Sequence, residues 1–328
     1  MISIYLDWSV MSKMKQGKHA PLYNLLAENP EISIKYSTSH ISDILVSYAE
    51  NKEQLEIIED DLNFIRYLTK DRCLFIREKQ IFEEHSNPHE LFSDRVSEKD
   101  LFKDISLDGL GKVFEQTESG KLLWPLLKLQ LKTTVLDDVF IEAFENKETA
   151  ELLEKVFPGL KENPSMEGFF KCFSNLFNSW NEGEQYKETR EVMQKTLGIN
   201  RDEIISSIDP YKIINSKTRG IDIKHNDFQK KSSIAPEWFD NISNEFILLD
   251  MYGYKEDKIK VTCKVKKTFR NTTDDAFHCA FASVCQIYIL DDTNSYFKTK
   301  KVYEKLGIST LVFKPDEFIQ FIAENSEQ

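Results

Sequence analysis

Residues 2–6 (ISIYL) form a short β-branched and aromatic run closed by Asp7, too short for a helix and suited to a buried strand. Residues 9–28 read as helix in two parts around Gly17 and Pro21, and Asn29-Pro30 ends that segment. Glu31 to Tyr36 is apolar at alternate positions, the pattern of a second strand. Ser37-Thr38-Ser39 supplies capping hydroxyls for a helix starting near His40, with Ile41, Ile44, Leu45 and Tyr48 at helical spacing. A further amphipathic helix covers 52–69, and Cys73-Leu74-Phe75-Ile76 gives a third strand. Strand, helix, strand, helix, helix, strand is the opening of a parallel α/β sheet.

From 79 to 250 the alternation stops, and only helical patterns stand out, at 121–133, 147–156, 167–180 and 185–197. The α/β pattern returns with a polar stretch, Asn271 to Asp274, that leads into an apolar helix from Asp275 to about Gln286. A strand at Ile287 to Leu290 follows, then Asp291-Asp292, a basic helix at about 295–306 ended by Gly307, a strand at 309–313 and a helix from Pro315. The expected organisation is therefore an α/β core in two parts, 1–78 and 251–328, closing one parallel sheet around a mostly α-helical insertion at 79–250.

Composition narrows the picture. Glycine and proline together make 20 of 328 residues, so tight turns are few, which argues against an all-β sandwich and for a fold dominated by helix. No apolar run reaches the ~18 residues of a membrane span, and the opening residues lack a basic region followed by an apolar stretch, so the expected compartment is the cytoplasm. Five cysteines, none in a CxxC pair, disfavour a disulfide framework or a zinc ribbon and read as small core residues. The net charge of -12 argues against indiscriminate coating of nucleic acid, yet residues 211–270 carry 13 Lys and Arg against 8 Asp and Glu. Such a stretch is either a path for a polyanion or a solvated basic face.

An acid directly after a buried strand stands at the strand's carboxyl end, where open α/β sheets place their ligands. Asp7 and Asp292 have that position; Asp275 is expected at a helix N-terminus, and Asp43 near the start of the helix after the second strand. Each has a plainer reading as a helix cap or turn residue. Together, four acids from separated parts of the chain would raise one another's pKa values unless a cation held them, which implies a hard divalent metal, Mg²⁺ or Mn²⁺, bound by Asp7, Asp275 and Asp292.

The segments IYLDWSVM, YSTSHISDI, DDAFHCAFA and ILDDTNSYF, then GISTLVFKPDEF, resemble the ordered motifs of PIN-domain proteins. The resemblance covers roughly half of the chain. Members of that family are typically Mg²⁺- or Mn²⁺-dependent ribonucleases with a three- or four-acid pocket, and many are bacterial toxins. The resemblance implies catalytic roles for Asp7, Asp43, Asp275 and Asp292, with Asp291 as the shifted alternative for the fourth acid and Ser9 in the family's small polar position. The chain departs from the family in its long insertion, in an Asp rather than a Glu at position 43, and in Leu290 where a Thr or Ser usually precedes the fourth acid.

The reaction expected is metal-assisted hydrolysis of RNA phosphodiester bonds. His278, three residues after Asp275, faces the same way on a helix and is a candidate for substrate contact, or else a buried, hydrogen-bonded histidine. Lys264, Lys267 and Arg270 precede that helix in a strand-like segment, which either guides a phosphate backbone or guards a sheet edge. Lys298, Lys300 and Lys301 serve the site or solvate a helix. The partners expected are RNA, single-stranded DNA as a second polyanion, a protein docked on the insertion, and a second copy of the chain in a homodimer. The competing expectation is a PIN-like binding module without catalysis.

Overall fold

The strand-like runs at the two ends of the chain meet in one sheet in the computed structural model, which describes all residues except 28, 47, 49–50, 78–79, 99–106, 137, 146, 219–237, 263–265 and 327–328. Strands β1 (Ile2–Leu6), β2 (Ile32–Ser37), β3 (Arg72–Arg77), β4 (Gln80–His85), β7 (Ile287–Ile289) and β8 (Leu311–Phe313) form a six-stranded sheet in the order β4-β3-β2-β1-β7-β8. Every pairing is parallel except β3 with β4, a hairpin. The fold is thus mixed α/β with a mostly parallel sheet. Because β1 lies at its middle, Ile4, Tyr5 and Leu6 are fully buried, which is why that strand reads as a continuous apolar run.

Among the described residues the chain divides into two compact units, one of Met1–Arg95, Arg190–Lys258 and Arg270–Gln328, the other of Val96–Thr189 and Ile259–Phe269. In the first, helices α1 (Trp8–Lys15) and α2 (Ala20–Ala27) follow β1, and α3 (Thr38–Val46) and α4 (Lys52–Thr69) follow β2. The helix α5 (Pro88–Glu98) then leaves the sheet. The second unit holds α6 (Leu107–Phe114), α7 (Glu118–Thr133), α8 (Asp138–Glu145), α9 (Lys147–Val156) and α10 (Met166–Glu182). Its small core is built from Leu136, Phe144, Leu160 and Cys172, while Leu122, Leu123, Leu126 and Leu129 of α7 face outward. Phe269 closes an aromatic cluster with Trp180 and Tyr186 at centroid distances of 5.1 and 4.7 Å. The pair β5 (Lys260–Val261) and β6 (Lys266–Lys267) is antiparallel and separate from the main sheet.

The chain re-enters the first unit along α11 (Gln185–Thr196) and continues through α12 (Arg201–Ile205), α13 (Pro210–Thr218) and α14 (Trp238–Met251). It then reaches α15 (Phe269–Ala282), α16 (Thr293–Leu306) and α17 (Pro315–Ser326). The described residues of 190–258, of which the sequence pattern groups those up to 250 with the insertion, pack with the sheet: Phe239, Ile242, Phe246 and Leu249 share one core with Tyr5, Cys279 and Tyr288.

Two expectations are corrected. The region after 79 begins with a strand, β4, whose Gln80, Glu83, Glu84 and His85 are exposed on an edge and so lack the apolar signature of a buried strand. The helix expected from Asp275 starts at Phe269, so Asn271 to Asp274 lie inside it. The cysteines at 73, 172, 279 and 285 are free and buried, as their reading as core residues requires, and Cys263 lies outside the described residues. No described helix is long and apolar enough to cross a membrane.

Candidate metal centre

The sheet order dictates where a ligand site can form. From β1 the chain builds outward through β2, β3 and β4 on one side, then returns to build β7 and β8 on the other, so the strand order reverses between β1 and β7. At such a reversal the connections leave in opposite directions and open a crevice at the carboxyl ends. Asp7 follows β1 there, its N–H donating to the carbonyl of Ile289 at 2.9 Å. Its carboxylate caps α1: Oδ2 accepts from the Ser9 N–H at 3.1 Å and from the Ser9 hydroxyl. Beside it, Asp291 and Asp292 follow β7, and Asp292 caps α16 by accepting the Ser295 N–H on Oδ1 at 2.8 Å.

Three carboxylates converge at this edge. Oxygen atoms of Asp257, Asp275 and Asp292 all lie within 4.8 Å of one another. Asp275 sits in the second turn of α15 rather than at its N-terminus, so it owes its position to packing and not to the helix dipole. Its Oδ2 accepts from the Ser295 hydroxyl at 2.6 Å, which makes Ser295 a bridge between Asp275 and Asp292. Oδ2 of Asp257 accepts from Thr272 Oγ1 at 3.0 Å and lies 3.1 Å from Lys298 Nζ. Each carboxylate is thus anchored through one oxygen, while its second oxygen has no hydrogen bond among the described residues. Burial, reinforced by the charges of Asp257 and Asp7, raises the Asp275 carboxyl well above the usual range. Asp257 is also raised, by burial and by Asp250.

A buried ionic frame holds the triad in place. Lys298, fully buried on α16, reaches Asp250 at 2.9 Å as well as Asp257. Burial opposes its charge, but Asp250, Asp257 and Asp275 outweigh burial and keep it protonated. Asp250, at the end of α14, also takes Arg190 Nη1 at 2.8 Å and the Asp257 N–H at 2.7 Å, fixing the loop that carries Asp257. Burial would raise Asp250, yet Lys298 and Arg190 hold it below the usual carboxylate range. Lys298 therefore does not solvate a helix; it lies on the buried side of α16 with Ser295, Thr299 and Val302.

Asp43 lies in the second turn of α3 and is engaged by His278, whose Nε2 is 2.8 Å from Asp43 Oδ2. The other ring nitrogen of His278 is 2.8 Å from the Tyr5 hydroxyl, which in turn is 2.7 Å from Ser37 Oγ. Burial opposes a charge on His278, but Asp43, Asp7 and Asp275 dominate and raise it to about 9. It is then an imidazolium at neutral pH, with Nε2–H donating to Asp43 and Nδ1–H to Tyr5. His40, packed edge-on against it at 4.8 Å, is the opposite case: burial and the His278 charge lower it, and its Nε2 donates to the Leu6 carbonyl at 2.8 Å. His278 is 1 % exposed and its ring nitrogens are both taken, so it is a buried partner of Asp43 rather than a surface contact.

Of the remaining candidates, none of the described ones is part of this cluster. Ser9 serves Asp7. Arg270 is half exposed on α15 and lies 3.7 Å from Asp274. Lys267 is exposed and belongs to the second unit, where β6 pairs with β5. Lys264 lies outside the described residues. Asp291, the shifted alternative for the fourth acid, is engaged by Lys13, whereas Asp292 joins the triad. Asp257 has no counterpart in the sequence reading: it sits in a charge-mixed stretch, Lys255 to Lys258, with no periodicity to set it apart.

Comparison of the chain with protein-family models, with curated proteins and with solved structures finds no match. The residues themselves suit a hard cation: the donors are all carboxylate oxygens, one oxygen of each is left over from the anchoring bonds, and the negative charge exceeds what Lys298 balances. They could hold a divalent metal.

Proposed function

We propose that this chain is a metal-dependent phosphodiesterase, an endoribonuclease with a PIN-like core, in which Asp257, Asp275 and Asp292 hold Mg²⁺ or Mn²⁺. The observation that carries the reading is the triad at the strand-order reversal, with one anchored and one free oxygen on each acid. A divalent cation held there would supply an activated water and would neutralise charge developing on the phosphate. The chain's own groups do the rest. Thr272, Ser295 and Lys298 fix the carboxylates so that the free oxygens stay aimed together, and burial of Asp275 makes a cation the natural way to keep it ionised. Asp7 adds its charge from the end of β1, and Asp43 acts through His278 rather than as a ligand.

The test is incubation of labelled single-stranded RNA with the protein in Mn²⁺, Mg²⁺ or EDTA, alongside Asp275→Asn and Asp257→Asn. Cleavage in either metal that is absent in EDTA and in both variants is expected. Metal-independent cleavage, or wild-type activity in Asp257→Asn, would remove the triad from the reaction.

A further inference from the structure

The carboxyl end of the sheet does not end with acids. The residue after β8 is Lys314, one strand over from Asp291 and Asp292. Its Nζ donates to the Asp291 carbonyl and lies 3.4 Å from Thr293 Oγ1. From the opposite flank Lys13, on the α1 helix that Asp7 caps, reaches the Asp291 carboxylate, and His19 Nε2 lies 3.5 Å from the same oxygen. The Asp291 carboxylate thus faces the Lys13 ammonium and the His19 imidazole, while its main-chain carbonyl holds the Lys314 ammonium, immediately before the triad's Asp292.

On the neighbouring α16, Lys301 pairs with Glu304 at 2.6 Å and Lys305 with Glu245 at 2.7 Å, while Lys300 donates to the Tyr296 hydroxyl at 3.1 Å. An ammonium has three donors, and among the described residues Lys13 uses one and Lys314 two. Lys13 keeps 42 % of its side chain exposed, so its remaining donors face solvent. Free cationic donors beside a carboxylate cluster are what a phosphodiester needs: the acids suit the cation, and the lysines suit the phosphates the acids would repel.

We infer that Lys13 and Lys314 form the contact for the phosphate backbone of single-stranded RNA at this edge of the sheet, held extended by Asp291. This rests on the nuclease reading of the adjoining triad, and it assigns the substrate contact to these two lysines in place of Lys264, Lys267 and Arg270.

The experiment is fluorescence anisotropy with a labelled single-stranded RNA oligonucleotide in EDTA, over a series of salt concentrations, so that no turnover is needed. Lys13→Ala and Lys314→Ala are each expected to weaken binding about fivefold at 0.1 M salt and to lower the slope of log affinity against log salt by ~0.7, the value for one single-strand phosphate contact. Arginine at either position restores both, and Lys52→Ala, on an exposed face of α4, changes neither. Asp291→Asn separates this from a purely structural ion pair: with the restraining carboxylate gone, binding tightens and the salt slope steepens. Wild-type affinity and slope in both lysine variants, or no RNA binding by the wild type, would overturn the inference. Binding that depends on the lysines without metal-dependent cleavage would uphold it while removing the nuclease reading; cleavage with unaltered affinity in the lysine variants would do the reverse.

Discussion

Replacing Asp43 by Asn isolates the pair it makes with His278. His278 is 1 % exposed, and its titration point rises from 6.5 to about 9 because the negative charge of Asp43, supported by Asp7 and Asp275, outweighs burial. A group raised on folding stabilises the folded state in full below its unfolded value and loses that stabilisation as pH climbs through its folded value. Between pH ~6.5 and ~9 the folded protein holds a proton that the unfolded chain does not, so this pair's contribution falls by about 1.4 kcal/mol per pH unit, about 3 kcal/mol in all. In Asp43→Asn the anion is gone, burial dominates, and the decline disappears. The assay is guanidinium unfolding of both proteins in EDTA from pH 7.5 to 9. Asp274, raised to about 7 by burial and by Asp43, is largely ionised in that window. Cys73, Cys279 and Cys285, pushed up to about 12 by burial, add the same high-pH loss to both proteins and cancel in the difference. A wild-type advantage that shrinks by about 2 kcal/mol across the window is expected. Parallel curves would refute the argument and return His278 to an uncharged, merely packed residue.

Other outcomes follow from the same geometry. Lys298→Met leaves Asp257 without its buried counter-charge and Asp250 with Arg190 alone, and is expected to cost about 3–5 kcal/mol in denaturant unfolding. Tyr5→Phe removes the hydroxyl between Ser37 and His278, leaving a buried ring N–H unpaired; a loss of about 1–3 kcal/mol is expected, with His278 still protonated at neutral pH by NMR. Ser295→Ala loosens Asp275 and Asp292 together, and calorimetric titration with Mn²⁺ is expected to show about 10-fold to 100-fold weaker binding with an unchanged fold.

The elements nearest the sheet's axis were the most legible in the sequence. The strands β1, β2, β3 and β7 are buried enough for their apolar pattern to survive, whereas β4 is an edge strand carrying Glu83 and Glu84 and shows none. Asp7 and Asp292 could be read from the sequence because Asp7 directly follows β1 and Asp292 comes three positions after β7. Asp275 was found for a mistaken reason, since it lies in the second turn of a helix that begins at Phe269. Asp257 left no trace: a loop acid flanked by lysines looks like solvated charge, and only the fold, through Asp250 and Lys298, turns it inward. Lys298 left a faint one, standing four residues before the buried Val302 and three after the buried Ser295, but a lysine at a core position carries no hint of which acids surround it. The network of Tyr5, Ser37, His40, Asp43 and His278 was hidden because its members come from β1, β2, α3 and α15 and share no sequence spacing.

The proposed chemistry depends above all on a divalent cation held by acids that lie up to 35 positions apart in the chain, Asp257, Asp275 and Asp292. Crystals grown with Mn²⁺, with diffraction recorded near the manganese absorption edge, report on this directly. An anomalous peak is expected about 2.0–2.2 Å from the free oxygens of those three carboxylates. A manganese site elsewhere on the chain, or no peak at saturating Mn²⁺ with the three carboxylates ordered, would contradict it.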